Sequence, residues 1–369
     1  MQNKKVFYIT ETSLPSNSAN IINSLKFCDA LSKYYNVHLL QPHSSILISK
    51  IKKNFDIKNE ISLINILDRN IKSRLDRFIF CLKVVIKIMN NKNSIHFILS
   101  RSILTSIILT FLNIKNILEI HHNLSGLSKI LFNILIKLPV KKKLTILAIN
   151  RNLIKDLKIS KIKHIVLDDG SDVKKKEFSS NFKYENTCVY TGSLYKGKGL
   201  EIISKLSKIM PNVEFHIYGE KKTSDKVNSN SFISKNIKFK GHVSYSQINK
   251  ILRKYHIALM PYEKKISARS SNLEISKYIS PLKMFDYFAA GNIIFASNLK
   301  AFNHVLKNNV NALILNNSNI VNWKILINKV FRNLSDYDHI KYNALQSSKK
   351  FSWDNRAKKF LKFISFFKN

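Results

Sequence analysis

The sequence predicts an α/β protein made of two doubly wound parallel-sheet domains, and three observations predict it. Short β-branched and aromatic runs alternate with longer amphipathic segments along the 369 residues. The runs are continuously apolar, as in strands covered on both faces by helices. A polar, lysine-rich break at 172–187 interrupts the pattern, which then restarts; a closed eightfold barrel would not need that break.

Taken in order, the first set of strands is expected at KVFYIT (from residue 5), NVHLLQ (36), SIHFILS (94), NILEIHH (116), LTILAIN (144) and HIVLDDG (164). The second set is TCVYTGSL (187), VEFHIYG (213), IKFKGHV (237), HIALMPY (256), NIIFAS (292) and NALIL (311). The closing FSWDNRAKKFLKFISFF reads as a helix whose aromatic face needs a cover. The expected divisions are a first domain at 1–175, a second at 176–345 and a final helical segment at 346–369. Ligands of such sheets bind at the carboxyl ends of the strands, so the residues just after each strand are the ones to question.

Composition narrows the classes. Apolar residues make up 45% of the chain, enough for sizeable cores. The formal net charge of +39 points to a polyanionic partner: nucleic acid, an anionic bilayer or phosphorylated small molecules. A lysine- and asparagine-rich coding bias accounts for part of that excess. No helix-turn-helix, zinc or aromatic-basic ribonucleoprotein pattern is present, so specific nucleic-acid binding is not expected. Cys28, Cys81 and Cys188 are odd in number and widely spaced, which fits a reducing cytoplasm and no metal centre. The N-terminus runs straight into a strand with no apolar run of signal length. The longest apolar stretch, 102–114, is short of the roughly 20 residues a membrane crossing needs. Charge and amphipathicity, at 71–114 especially, suggest docking on the cytoplasmic face of an anionic membrane.

Two stretches suggest chemistry. In YTGSLYKGKGLEII, Gly192 follows a strand and Lys198-Gly199 opens a helix, which suits a phosphate. Alone this is weak, because it matches neither a P-loop nor a dinucleotide fingerprint. In ISPLKMFDYFAAG, Ser280 is the expected N-cap, Pro281 the first helical residue and Gly291 the stop. The amides of Leu282 and Lys283 would then face an anion, and Asp286, one turn on, could meet the same ligand. A diphosphate at the amides and a ribose diol at the carboxylate would explain an acid kept among Met284, Phe285 and Phe288.

These blocks, with VEFHIYGE and IKFKGHVSYSQI followed by ALMPY between them, resemble the nucleotide-sugar domain of family-four (group 1) retaining glycosyltransferases. The resemblance is strong over 188–330 and weaker over the first half, where SLPSNSANIINSLKF, LEIHHNLSG and VLDDGSDV fall at corresponding places. It implies a GT-B fold, two Rossmann-like domains facing a central cleft, with the last helix crossing back to the first domain. It implies sugar transfer from a nucleotide-diphosphate sugar to a glycan or isoprenoid-linked acceptor, with retention, in bacterial surface polysaccharide assembly. No cofactor is expected beyond that co-substrate, and no metal.

Carried over residue by residue, the resemblance gives Lys198 the donor diphosphate and the departing nucleotide, and Asp286 the ribose. It places His121 against the transferred sugar, with Glu119 beside it, and Ser18 and Ala19 in a loop meeting the donor phosphates. Read alone, His121 and His122 are a capped loop. Ser193 stands where an arginine is common; Arg269 and Arg101 are the candidates to replace it. Tyr278 stands where the first acid of an E-x7-E pair would fall, and Asp286 is one methylene shorter than the usual second. Glu220 is a further residue near the nucleotide or a solvated turn. The competing readings are a nucleotide-sugar epimerase or phosphorylase on the same scaffold, and a basic nucleic-acid-binding protein.

Overall fold

The computed structural model describes residues 4–173, 183–219, 234–268, 271–274 and 276–365. The chain divides into two compact units, Met1–Asp169 with Trp353–Asn369, and Gly170–Ser352.

The first unit runs β1 (Lys5–Ile9), α1 (Ala19–Leu31), β2 (Asn36–Gln41), α2 (Ile48–Phe55), β3 (Ile61–Asn65), α3 (Arg74–Asn91), β4 (Ile95–Ser100) and α4 (Ile103–Phe111). It continues through β5 (Asn116–Ile120), α5 (Gly126–Leu135), β6 (Leu144–Ala148), α6 (Arg151–Asp156) and β7 (His164–Val166). The seven strands form one parallel sheet in the order β3-β2-β1-β4-β5-β6-β7.

The second unit runs β8 (Tyr184–Thr191), α7 (Leu200–Ile209), β9 (Glu214–Tyr218), β10 (Ile237–Gly241), α8 (Tyr245–Leu252) and β11 (Tyr255–Met260). A hairpin follows, β12 (Ser267–Ala268) and β13 (Ser271–Glu274), then α9 (Leu282–Ala290), β14 (Ile293–Ser297), β15 (Leu313–Leu315), α10 (Ile320–Arg332) and α11 (Asp338–Lys350). Its sheet is parallel, in the order β10-β9-β8-β11-β14-β15. The last helix, α12 (Trp353–Ser365), belongs to the first unit.

All twelve expected strands are present. β3 and the β12–β13 hairpin were not expected, because neither carries a continuous apolar run. β3 is an edge strand with only Ile61 fully buried, and such strands carry little of the pattern that marks central ones.

Alternation along the strands assigns the helices to faces. Phe7 and Ile9 of β1 pack with Phe80, Val84 and Ile88 of α3 and Leu109 of α4. Tyr8, pointing the other way, meets Phe27 of α1 edge-on, and Phe27 meets Phe360 of α12. The aromatic face of the last helix is thus covered by α1 and by Phe97 of β4.

Each sheet reverses its winding once: between β1 and β4 in the first unit, and between β8 and β11 in the second. At such a point neighbouring strands send their connections to opposite sides, which opens a crevice at the strands' carboxyl ends. The candidate residues fall around these two points.

Candidate functional site

In the second unit the crevice is lined by the turns after β8 and β11 and by the start of α9. Gly192 leaves β8 with φ +125°, a backbone reserved for glycine. A side chain there would also collide with Lys283, whose Nζ and Cε lie 3.0 Å from where a Cβ would stand. Gly199 precedes α7 at φ +100°, where a Cβ would come within 2.3 Å of the Pro261 carbonyl oxygen. That close approach seats the Lys198 turn against the turn after β11. The Tyr287 hydroxyl on α9 accepts from the Thr191 amide (2.9 Å) and donates to the Leu259 carbonyl (3.2 Å), tying α9 to both strands.

Two lysines converge on this frame. Lys198 Nζ lies 5.1 Å from the Tyr262 ring centre and Lys283 Nζ 5.2 Å from it. Lys283 Nζ also sits 3.5 Å over the Tyr190 ring, whose hydroxyl donates to the Ser193 carbonyl (2.9 Å). Lys283 is 8% exposed, and its Nζ meets no hydrogen-bond partner among the described residues. Burial, and then the nearby Lys198 charge, hold the Lys283 ammonium well below its ordinary pKa. Burial pushes Lys198 down to about 8. Aromatic faces compensate a desolvated cation only in part. An anion bound beside the pair would restore the positive charge that burial suppresses.

The start of α9 adds to it and corrects one expectation. Ser280 is not the N-cap. Pro281, at φ −78° and ψ 123°, stands in the capping position without a side-chain cap bond of its own, and Leu282 is the first helical residue. The Pro281 φ suits a helix but its ψ is extended, so the helix begins one residue later than a cap at Ser280 would give. The Met284 amide reaches the Pro281 carbonyl (3.0 Å). The Leu282 and Lys283 amides stand in the first turn of α9, where backbone donors precede the helical ladder. Gly291 ends the helix in the left-handed conformation, as expected. Asp286, one turn into α9, is buried and accepts from the Tyr245 hydroxyl on α8 (3.1 Å). Arg269 and Glu220 lie outside the described residues.

The first unit holds a second polar cluster at its own strand ends. Glu119, on β5, is buried and accepts from Tyr8 Oη (2.6 Å), His121 Nε2 (2.9 Å) and Arg356 Nη2 (2.8 Å). Burial alone would raise its pKa, but the His121 bond and the Arg101 and Arg356 guanidiniums overcome it and hold the carboxyl far below the usual carboxylate range. Burial, and then the Arg101 guanidinium, lower His121 to about 3. His121 is therefore neutral at physiological pH, with its Nε2 proton directed at Glu119 and Nδ1 left as an acceptor. Asp169, which accepts from Asn23 Nδ2, is pushed up to about 7 by burial. Arg101 Nη1 donates to Asn23 Oδ1 (2.8 Å) and the Asn20 carbonyl (3.3 Å), so this candidate replacement for arginine at 193 is engaged at the start of α1. Ser18 caps α1, its Oγ accepting from the Ile21 amide, and Ala19 is the first helical residue. His122 is exposed.

The structure thus groups Lys198, Leu282, Lys283 and Ser193 at one crevice, with Asp286 a turn away, and groups His121, Glu119 and Arg101 in the other unit. Sequence reasoning took Lys283 for its amide and missed its side chain. The signal was a cation in the first turn of a helix, where the dipole disfavours one. It also missed Arg356, an arginine on the buried face of an otherwise aromatic helix.

Two Rossmann-like parallel-sheet domains in one chain make a GT-B fold. Residues 172–347, just under half of the chain, match the family model described as glycosyl transferases group 1. The fold is shared with a glycosyltransferase from Rickettsia africae (15% identity, all of both chains, TM-score 0.72). It is shared with Anabaena Alr3699/HepE, solved with UDP and glucose (12% identity, 99% of this chain and 100% of that one, TM-score 0.71). It is shared too with the sucrose-phosphate synthase of Thermosynechococcus elongatus (10% identity, 98% of each chain, TM-score 0.73). No curated protein has a matching sequence.

Proposed function

We propose that this protein is a glycosyltransferase of the family-four retaining type. It moves a hexosyl group from a nucleotide-diphosphate sugar to a glycan or lipid-linked acceptor, in surface polysaccharide assembly. The observation that carries the reading is the buried, unpaired Lys283 ammonium beside Lys198, at the open amides of α9. Cleavage of the glycosyl–phosphate bond leaves growing negative charge on the β-phosphate oxygens, and preorganised cations and amides are what stabilise it. The desolvated site makes each of them count for more than in water. With Lys283 supplying the second cation, Ser193 in place of arginine is no defect.

Asp286 holds the ribose hydroxyls, with Tyr245 fixing its carboxylate. Neutral His121, oriented by Glu119, accepts a hydroxyl proton of the transferred sugar through Nδ1. Two ammonium groups and two amides match a diphosphate's charge, so we propose that no divalent metal or other cofactor takes part and that chelator leaves turnover unchanged. The α1 amides behind Ser18 and Ala19 are assigned to the donor's phosphate end on the family likeness.

The test is a thermal-shift series with nucleoside diphosphates and their sugars, followed by transfer from the stabilising sugar to lipid and glycan acceptors. A ligand at a hundred times its Kd stabilises by about 2.7 kcal/mol, which is easily read as a rise in Tm. The anomeric proton coupling of the product reports retention. If no nucleoside diphosphate raises Tm, the assignment fails. An epimerised sugar without acceptor, or turnover only with added phosphate, would move it to an epimerase or a phosphorylase.

A further inference from the structure

The outward face of α3 is a continuous apolar stripe. Leu75, Phe78, Leu82, Ile86 and Met89 are exposed to 65, 46, 39, 56 and 54%, and at 100° per residue they occupy an arc of about 80°. The opposite face, with Phe80, Cys81, Val84, Val85 and Ile88, is already in the core. A helix apolar on both faces is ordinarily buried on both. The pattern continues on neighbouring helices. α4 packs against both α3 and α5 and ends in exposed Phe111 and Leu112, and α5 presents Leu127, Ile130 and Ile134, exposed to 68, 58 and 48%. Contiguous apolar surface on this scale marks an interaction site.

Charge identifies the occupant. Residues 69–143 contain fourteen lysines and arginines but only two acids, Asp76 and Glu119. Both acids are turned inward: Asp76 into the capping box of α3 and onto Arg69, Glu119 into the polar cluster. Within this stretch no acid is left exposed; Glu11 pairs with Arg77 on α3, and exposed Asp68 borders the stretch. Lys83 and Lys87 follow the α3 stripe on one side and Arg74 on the other, Lys129 lies on α5, and Lys141–Lys143 close the next turn. Among the described residues no helix is long and apolar enough to cross a membrane.

We propose that the outer face of α3, α4 and α5 docks on an anionic lipid bilayer, its apolar residues entering the headgroup–acyl boundary and its lysines meeting the lipid phosphates. A soluble protein partner would need an equally apolar and acidic face; a second copy of this chain would bring lysine against lysine.

The test uses the full chain and no nucleotide, so its failure leaves the proposed transferase activity untouched. Flotation with vesicles of phosphatidylglycerol and phosphatidylcholine in equal parts is expected to carry the protein upward. Vesicles of phosphatidylcholine alone should not, and added salt should release it. The exposed double variant Phe78→Ser, Ile86→Ser should bind roughly tenfold more weakly or less, with its unchanged circular dichroism showing a preserved fold. In a Phe78→Trp variant, emission should shift to the blue on anionic vesicles. Equal binding by the double variant, or unshifted emission, would reduce the effect to bulk charge and overturn the proposal. So would absence of binding to the anionic vesicles, and a dimer in sedimentation equilibrium that the double variant dissociates would then give the face to a second copy.

Discussion

Replacing Lys283 by methionine separates a ligand-binding lysine from a structural one, because the two predict opposite signs. The ammonium is buried without a hydrogen-bond partner, and burial and Lys198 already push it toward the neutral form. Methionine keeps most of the volume over the Tyr190 ring and removes the desolvated charge. The unligated protein should therefore be no less stable and should melt higher; about 1 kcal/mol of relief corresponds to roughly 2–4 °C for a domain of this size. A nucleoside diphosphate, by contrast, loses a charge-assisted hydrogen bond worth about 1.5–3 kcal/mol. At about 1.4 kcal/mol per decade this weakens Kd roughly tenfold to a hundredfold. Isothermal calorimetry with nucleoside diphosphate gives the second number and differential scanning calorimetry the first. A nucleoside without phosphate should bind wild type and variant alike. A lower Tm with unaltered diphosphate affinity would show that Lys283 serves packing, and the reasoning would be refuted.

Other expectations follow from the same groups. Lys198 has a folded pKa of about 8 against an ordinary 10.5, so unfolded chains hold more protons between those values and unligated stability rises with pH there. An anionic ligand restores the ammonium, so diphosphate binding should take up protons above about pH 8 and weaken as pH rises further; calorimetry in buffers of different ionisation enthalpy measures the uptake. Asp286→Ala should weaken nucleoside diphosphate by about 1.5–3 kcal/mol while leaving inorganic pyrophosphate unaffected, because only the ribose loses its acceptor. Glu119→Gln leaves the Arg356 guanidinium, buried on α12, without its carboxylate, and should cost about 3–5 kcal/mol in urea unfolding. The folded pKa of Glu119 is depressed, so its contribution is present above its unfolded value of 4.5 and is lost as pH falls below it. The variant should lack that part of acid denaturation.

Much of this was legible without coordinates, for identifiable reasons. The central strands are continuous apolar runs bounded by polar turns, so β1, β4, β5, β8, β11 and β14 could be read directly. β3, half-exposed at the sheet edge, could not. Lys198 and Asp286 were marked by position, one after a strand-end glycine and one amid aromatic residues. The Lys283 side chain was hidden by attention to its amide, and the Ser280 cap was displaced because Pro281 takes an extended ψ that no residue type in the pattern announces. Arg356 joins Glu119 across 237 positions of sequence, a pairing that no local pattern encodes.

The two proposals give the large positive charge two physically separate uses, and burial distinguishes them. Surface lysines act through water, where salt screens them over about 8–10 Å. A docking face built on Lys83, Lys129 and Lys141–Lys143 must therefore lose its hold as ionic strength rises. Lys198 and Lys283 act at contact range in a poorly solvated crevice, where mobile ions screen little. Donor binding should then persist at salt concentrations that strip the protein from vesicles. That divergence matters because the bare count of +39 would fit either use equally well. The desolvated pair combines lowered pKa values with an unsatisfied Lys283 ammonium, and a polyanion of diphosphate size relieves both conditions at once.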